Sequence, residues 1–245
     1  MDDVIAAHSL IRMLDLTSLN DNDSELTVEE LCQKARTPYG NVAAVCIHGK
    51  FVSLAKNLLK NTPVKIATVV NFPQGEFAVE QTCREIEKAV QNGADEIDAV
   101  FPYRHFLSGK TADCETYVAE AKKAAGKDRL LKVILETGEL KTVNAIAGAS
   151  RLCIANGADF IKTSTGKSKV SATPEAANIM LEAIAAAKNN VGFKASGGIK
   201  TLEEAKKYLV LADSIMGLRW INPNNFRIGA SSLLNDLIAV IKRGY

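Results

Sequence analysis

Four charged residues stand inside runs that are otherwise apolar enough to be buried strands. Lys132 lies in Leu130-Leu131-Lys132-Val133-Ile134-Leu135 and Lys162 in Asp159-Phe160-Ile161-Lys162. Lys194 lies in Val191-Gly192-Phe193-Lys194-Ala195 and Asp98 in Glu96-Ile97-Asp98-Ala99-Val100. Charged side chains are depleted from strand interiors and almost never fully buried unless paired. One such lysine could belong to an edge strand; three lysines and an aspartate ask for a common explanation. Lysines gathered in a low-dielectric interior lose protons, because desolvation and like charge both depress the ammonium pKa. A neutral amine attacks carbonyl carbon, and the resulting iminium is an electron sink that lets a neighbouring carbon–carbon bond break or form. In this scheme Lys194 keeps its charge and holds Lys162 deprotonated. Asp98, directly or through a water, moves protons on and off hydroxyl and carbinolamine oxygens. Spacing alone leaves open which lysine attacks.

The competing explanations are a solvated strand face or buried ion pairs with Asp98 or Glu136 as partner. A solvated face is hard to arrange on a strand covered on both sides, and two carboxylates do not balance three ammonium groups. Side chains alternate along a strand. Phe160, Lys162 and Ser164 therefore oppose Ile161 and Thr163, and Gly192, Lys194 and Ser196 oppose Val191, Phe193 and Ala195. Lys132, Ile134 and Glu136 oppose Leu131, Val133 and Leu135, while Asp98 opposes Ile97 and Ala99. The apolar sets suit a layer beneath helices, so the charged sets face inward.

Glycine-rich loops follow the sixth, seventh and eighth strand-like runs: Ser164-Thr165-Gly166-Lys167, Ser196-Gly197-Gly198-Ile199-Lys200 and Gly229-Ala230-Ser231-Ser232. Glycines let backbone N–H groups approach an anion, hydroxyls add donors, and a helix starting after Ser232 presents its positive end. A single Gly-Gly is more often a turn; three such loops at consecutive strand ends point to phosphate. Metal chemistry has little support, since His8, His48 and His105 sit on separate segments without H-x-x-x-H or H-x-H spacing. Cys46, at the end of the second strand, is better read as a small buried hydrophobe than as a site residue.

Candidate strands centre near residues 13, 45, 67, 98, 132, 161, 193 and 229. Most intervals leave room for one helix and two short loops. Thr27-Val28-Glu29-Glu30 and Thr201-Leu202-Glu203-Glu204 have the form of capping boxes. Thr173-Pro174 opens a helix running to Ala187. Asn92-Gly93-Ala94-Asp95 and Asn156-Gly157-Ala158-Asp159 each close a helix on glycine before a strand. Alternating strands and helices give a parallel sheet covered on both faces, and a closed (β/α)8 barrel uses all eight strands. An open doubly wound sheet is the rival, but no G-x-G-x-x-G follows the first strand and the glycine loops come late. No proline- or glycine-rich linker divides residues 1–245, which are expected to form one domain.

At 245 residues and 47% hydrophobic content the chain can bury a substantial core. Net charge is +2 without like-charge blocks, which argues against a nucleic-acid partner. No run approaches the ~18 apolar residues of a membrane span, and no signal peptide is evident. The five cysteines are scattered without C-x-x-C, which disfavours disulfides and suits a reducing cytoplasm.

The chain resembles bacterial deoxyribose-phosphate aldolase, a class I aldolase family. The likeness runs through Leu14 to Asn20, Thr37 to Asn41 with Cys46-Ile47, Thr68 to Pro73, and Asp95 to Asp98 continuing through Val100 to Arg104. It goes on through Leu131 to Leu140, Gly157 to Lys167, Val191 to Gly198 and Phe226 to Leu234. The resemblance implies a (β/α)8 fold, no cofactor, and reversible cleavage of 2-deoxy-D-ribose 5-phosphate to acetaldehyde and D-glyceraldehyde 3-phosphate. It implies a degradative role toward deoxyribonucleotide sugars, with small phosphosugar and aldehyde partners; a homodimer is compatible with it. It assigns the Schiff base to Lys162, pKa perturbation to Lys194 and proton relay to Asp98. Phosphate contacts fall on Gly166, Lys167, Gly197, Gly198, Gly229, Ser231 and Ser232. One departure is Ala195-Ser196-Gly197-Gly198-Ile199-Lys200, where members often read P-A-G-G-V-R. Lysine for arginine keeps the charge but loses the bidentate fork. Family tails can end in a tyrosine that reaches the site, a role open to Tyr245.

Overall fold

The computed structural model describes residues 2–76, 78–187 and 189–244, so Tyr245 lies outside the described residues. Eight parallel strands close into a barrel. They are β1 (Leu14–Thr17), β2 (Ala44–His48), β3 (Lys65–Val70) and β4 (Glu96–Val100), then β5 (Leu130–Ile134), β6 (Phe160–Lys162), β7 (Gly192–Ser196) and β8 (Phe226–Ala230). Each strand pairs with its neighbours in sequence, and β1 pairs with β8 to close the ring. All eight expected strands are present, because each is an apolar run long enough to span the barrel and bounded by turn residues.

Helices follow the strands and cover them. The outward sets Val133 and Leu131, Ile161, and Phe193 and Ala195 are all fully buried beneath them. Burying a side chain of this size contributes about 1.5–3 kcal/mol, so the layer between sheet and helices supplies most of the driving force. The shortest spacing, between β2 and β3, is met by a 3-10 turn and a short helix, Val52–Leu58. Thr201 caps Leu202–Met216 in a capping box, and the Thr173 hydroxyl accepts from the Ala176 amide where Pro174–Ala187 begins. One start differs from expectation. Ser24, not Thr27, caps Glu25–Lys34, and Thr27 is the reciprocal member of that box. Both residues can cap, and the helix extends one turn further because Ser24 provides an earlier acceptor.

The paired Asn-Gly-Ala-Asp segments become matching clasps where chains enter β4 and β6. Gly93 and Gly157 take φ of 102° and 97°, which glycine adopts without penalty. A Cβ on either would press on a lysine stem, Lys56 in one case and Lys122 in the other. Asp95 then accepts from the Ile66 amide at 3.1 Å and pairs with Lys56, while Asp159 accepts from the Leu131 amide at 2.7 Å and pairs with Lys122.

Candidate active site

Strand register brings the cations together. Lys162 is level with Lys194, and Lys194 with Arg227, while Asp98 is level with Lys132. All five side chains turn inward and are buried, as are Asp15 and Glu96. Two glycines make room for this filling. A Cβ at Gly192 would overlap the Phe160 ring, and one at Gly229 would lie 3.0 Å from Cε of Lys194.

The carboxylates are shared unevenly. Lys132 Nζ meets Glu96 at 2.6 Å, Asp98 at 2.8 Å and Asp15 at 3.5 Å. Lys194 Nζ meets Asp15 at 2.5 Å and Asp98 at 2.8 Å. Arg227 is held by Asp15 and Glu96 at 2.6 and 2.8 Å. Among the described residues Lys162 has Asp98 alone, at 2.8 Å, on the same Oδ2 that receives Lys194.

Burial opposes every one of these charges. For Lys132 the carboxylates of Asp98, Glu96 and Asp15 overcome burial and push the pKa up. For Lys194 burial is likewise outweighed by Asp15 and Asp98, and the ammonium is retained. For Lys162 burial prevails: Asp98 opposes it, repulsion from Lys194 adds to it, and the pKa falls below the ordinary lysine value. Asp98 stays ionised, because Lys132, Lys162 and Lys194 together overcome its burial and hold its carboxyl well below the usual range.

The Lys162 amine borders a cleft of about 230 Å³ at the carboxyl ends of the strands. Gly166, Lys167, Gly197, Gly198, Gly229 and Ser231 line the same cleft, together with Lys200 and the Thr17–Asn20 loop. Gly166, Gly197 and Gly198 have φ of 79°, 89° and 83°, the left-handed region open to glycine. The loops after β6 and β7 are stitched together: the Ser196 amide donates to the Thr163 hydroxyl at 3.0 Å, and the Ser196 hydroxyl to the Ser164 carbonyl at 2.5 Å. A larger cleft of about 300 Å³, lined by His48, Lys50, Phe72 and Lys88, contains none of the interior lysines.

Ser232 adjoins Ser231, which lines the cleft, and directly precedes the helix Leu233–Arg243. Two expectations are corrected. Glu136 does not face the lysines as an ion-pair partner. Its φ of 56° breaks the strand alternation and sends the carboxylate to Thr165 and Ser168 instead. Asp15, Glu96 and Arg227 complete the interior set, giving three carboxylates against four cations rather than two against three. Each carries the same signal as the lysines, a charge inside an apolar strand: Leu14-Asp15-Leu16, Glu96-Ile97 and Phe226-Arg227-Ile228. Cys46 lies in mid-strand, with its sulfur 4.0 Å from Asp98; burial raises its thiol pKa, so it is neutral among Leu19, Ala67 and Val69.

Known proteins resemble this chain in sequence and fold. A deoxyribose-phosphate aldolase of Agrobacterium fabrum is 49% identical over 240 residues, covering 98% of this chain and 93% of that protein. Among solved structures, an aldolase designated QR15 is 30% identical with a TM-score of 0.82, covering 96% of this chain and 97% of its own. The deoxyribose phosphate aldolase of Aeropyrum pernix, described as a tetramer, is 25% identical with a TM-score of 0.74 and covers 100% of this chain and 98% of its own. The family model for the DeoC/LacD family aldolase matches residues 9–238, which contain every interior charge and all three glycine loops. The chain is therefore an aldolase and belongs to the DeoC/LacD family.

Proposed function

We propose that the protein is a class I aldolase that reversibly cleaves 2-deoxy-D-ribose 5-phosphate to acetaldehyde and D-glyceraldehyde 3-phosphate, with Lys162 as the imine-forming nucleophile. One observation carries this reading: among the described residues, Lys162 is the interior lysine that both borders the cleft and depends on a single carboxylate. With three carboxylates facing four cations, the set reaches neutrality when one amine gives up its proton. The amine with the least support gives it up.

The neutral Lys162 nitrogen attacks C1 of the open-chain sugar, and the carbinolamine loses water to form an iminium. The C2–C3 bond then breaks as the C3 hydroxyl loses its proton, and the electron pair moves into the iminium to leave an enamine. Protonation at C2 and hydrolysis release acetaldehyde and restore the lysine. Asp98 Oδ2, 2.8 Å from both Lys162 and Lys194, is placed to pass protons between them and the reacting oxygens. The phosphate end of the sugar takes the glycine loops, so remote binding aligns the reacting carbons. The five free cysteines support a cytoplasmic setting.

Borohydride reduction in the presence of substrate is expected to leave a mass adduct on Lys162, and a coupled assay is expected to detect glyceraldehyde 3-phosphate. An adduct on another lysine would overturn the assignment.

A further inference from the structure

Glu136 stands just past β5 in a left-handed conformation, φ 56° and ψ 62°, and is only 2% exposed. A residue with a Cβ held in this region, buried beside an active site, commonly marks a functional constraint. Both oxygens of its carboxylate are engaged by the loop after β6. Oε2 accepts from the Thr165 hydroxyl at 2.5 Å, Oε1 accepts from the Ser168 hydroxyl at 3.0 Å, and the Thr165 amide donates to both at 3.4 Å. The Thr165 hydroxyl in turn accepts from the Lys167 amide at 3.0 Å. A continuous chain therefore runs from Glu136 through Thr165 to Lys167, spanning Gly166, and these last three residues line the cleft.

Packing points the same way. A Cβ at Gly138 would overlap the Val170 carbonyl, and one at Gly197 would lie 2.6 Å from Cβ of Ser171. The loop is thus seated between the turn carrying Glu136 and the loop after β7. The Thr137 amide anchors its root by donating to the Thr163 carbonyl at 2.9 Å.

We propose that Glu136 is a positioning residue that fixes the Thr165–Ser168 loop as one wall of the phosphate subsite, and so governs affinity for phosphorylated ligands without touching them. This rests on the phosphate reading of the glycine loops given above. Bonds to a charged acceptor are shorter and stronger than neutral ones, which suits a wall that must hold its shape before the ligand arrives.

The test compares 2-deoxyribose 5-phosphate with 2-deoxyribose as substrates for wild type, Glu136→Ala and Glu136→Gln. Glu136→Ala is expected to raise KM for the phosphorylated sugar about tenfold, as loss of a charge-assisted bond network does. The kcat/KM for unphosphorylated deoxyribose and borohydride trapping of acetaldehyde on Lys162 should hold. Glu136→Gln, which keeps one acceptor for Thr165, should fall between. Ser168→Ala, which removes the hydroxyl held on Oε1 at a residue outside the cleft lining, should raise KM for the phosphorylated sugar in the same direction and keeps the question decidable if Glu136→Ala does not fold. An equal loss on both sugars, or no loss on either, would overturn the proposal. Calorimetric titration with inorganic phosphate separates the two readings. Wild type that binds phosphate but does not cleave the sugar refutes the substrate reading alone; Glu136→Ala that binds phosphate as wild type does refutes the role of Glu136 alone.

Discussion

The floor and the mouth of the barrel hold the same kind of residue and treat it in opposite ways. Lys132 is level with Phe160, one inward layer below Lys162, and both lysines are buried. Among the described residues, Lys132 faces Asp15, Glu96 and Asp98, and its pKa is raised; Lys162 has Asp98 alone, and its pKa is lowered. Burial is common to both sites, so the number of carboxylates within reach decides the sign. The floor keeps its charges by pairing them, and the mouth leaves one amine underpaired beside an opening.

The strongest way to break this contrast is to remove the mouth lysine. Lys162→Leu is expected to lower kcat by roughly 10⁴–10⁶-fold, as loss of a nucleophile does elsewhere, and to abolish the borohydride adduct. Substantial residual turnover would show that another amine attacks. Next comes Lys194→Leu, expected to cost roughly 10²–10⁴-fold at neutral pH. Here the sign is specific. Losing Lys194 removes its repulsion of Lys162 and takes the second ammonium off Asp98 Oδ2, so the Lys162 pKa rises. Less free amine is then present at neutral pH, and the acid limb of the pH–rate profile should move to higher pH. A profile that only scales down would mean Lys194 acts in some other way.

A smaller effect, on stability rather than rate, sharpens the comparison from the floor. Lys132→Met removes a buried charge shared by three carboxylates, Glu96, Asp98 and Asp15, and should cost about 3–5 kcal/mol in denaturant unfolding. Lys162→Met should cost far less, because Asp98 keeps Lys132 and Lys194. Equal costs would erase the distinction between floor and mouth. The smallest expected effect is at the rim, where Lys200→Ala should raise KM for the phosphorylated sugar a few-fold. An exposed ion pair of this kind contributes about 1 kcal/mol or less.

Much of this was legible in the chain itself, for a physical reason. A parallel barrel buries both faces of every strand, so a charge in an apolar run must be inward and paired. That reasoning placed Lys132, Lys162, Lys194 and Asp98, and the same reasoning extends to Asp15, Glu96 and Arg227, where short or end-of-strand runs made the signal weaker. Glu136 was illegible because alternation holds only while the backbone is extended; at φ 56° the side chain leaves the pattern. The uneven sharing of Asp98 was also out of reach, since it depends on rotamers and not on which face a residue occupies. Ser24 outcompeted Thr27 as a helix cap because either hydroxyl can serve, and sequence does not rank them.

The clasps at Asp95 and Asp159 have a consequence for the whole cylinder. Each carboxylate reads an amide on the preceding strand, Ile66 in one seam and Leu131 in the other, while its lysine locks the turn behind it. In a ring of strands a slide at one seam must be absorbed by the rest, since there is no loose edge to take it up. Rivets at two seams therefore fix the stagger around the circumference. The vertical offset between neighbouring side chains inside, on which a shift of a single residue would reverse inward and outward, is thus guarded from the end of the cylinder opposite the chemistry.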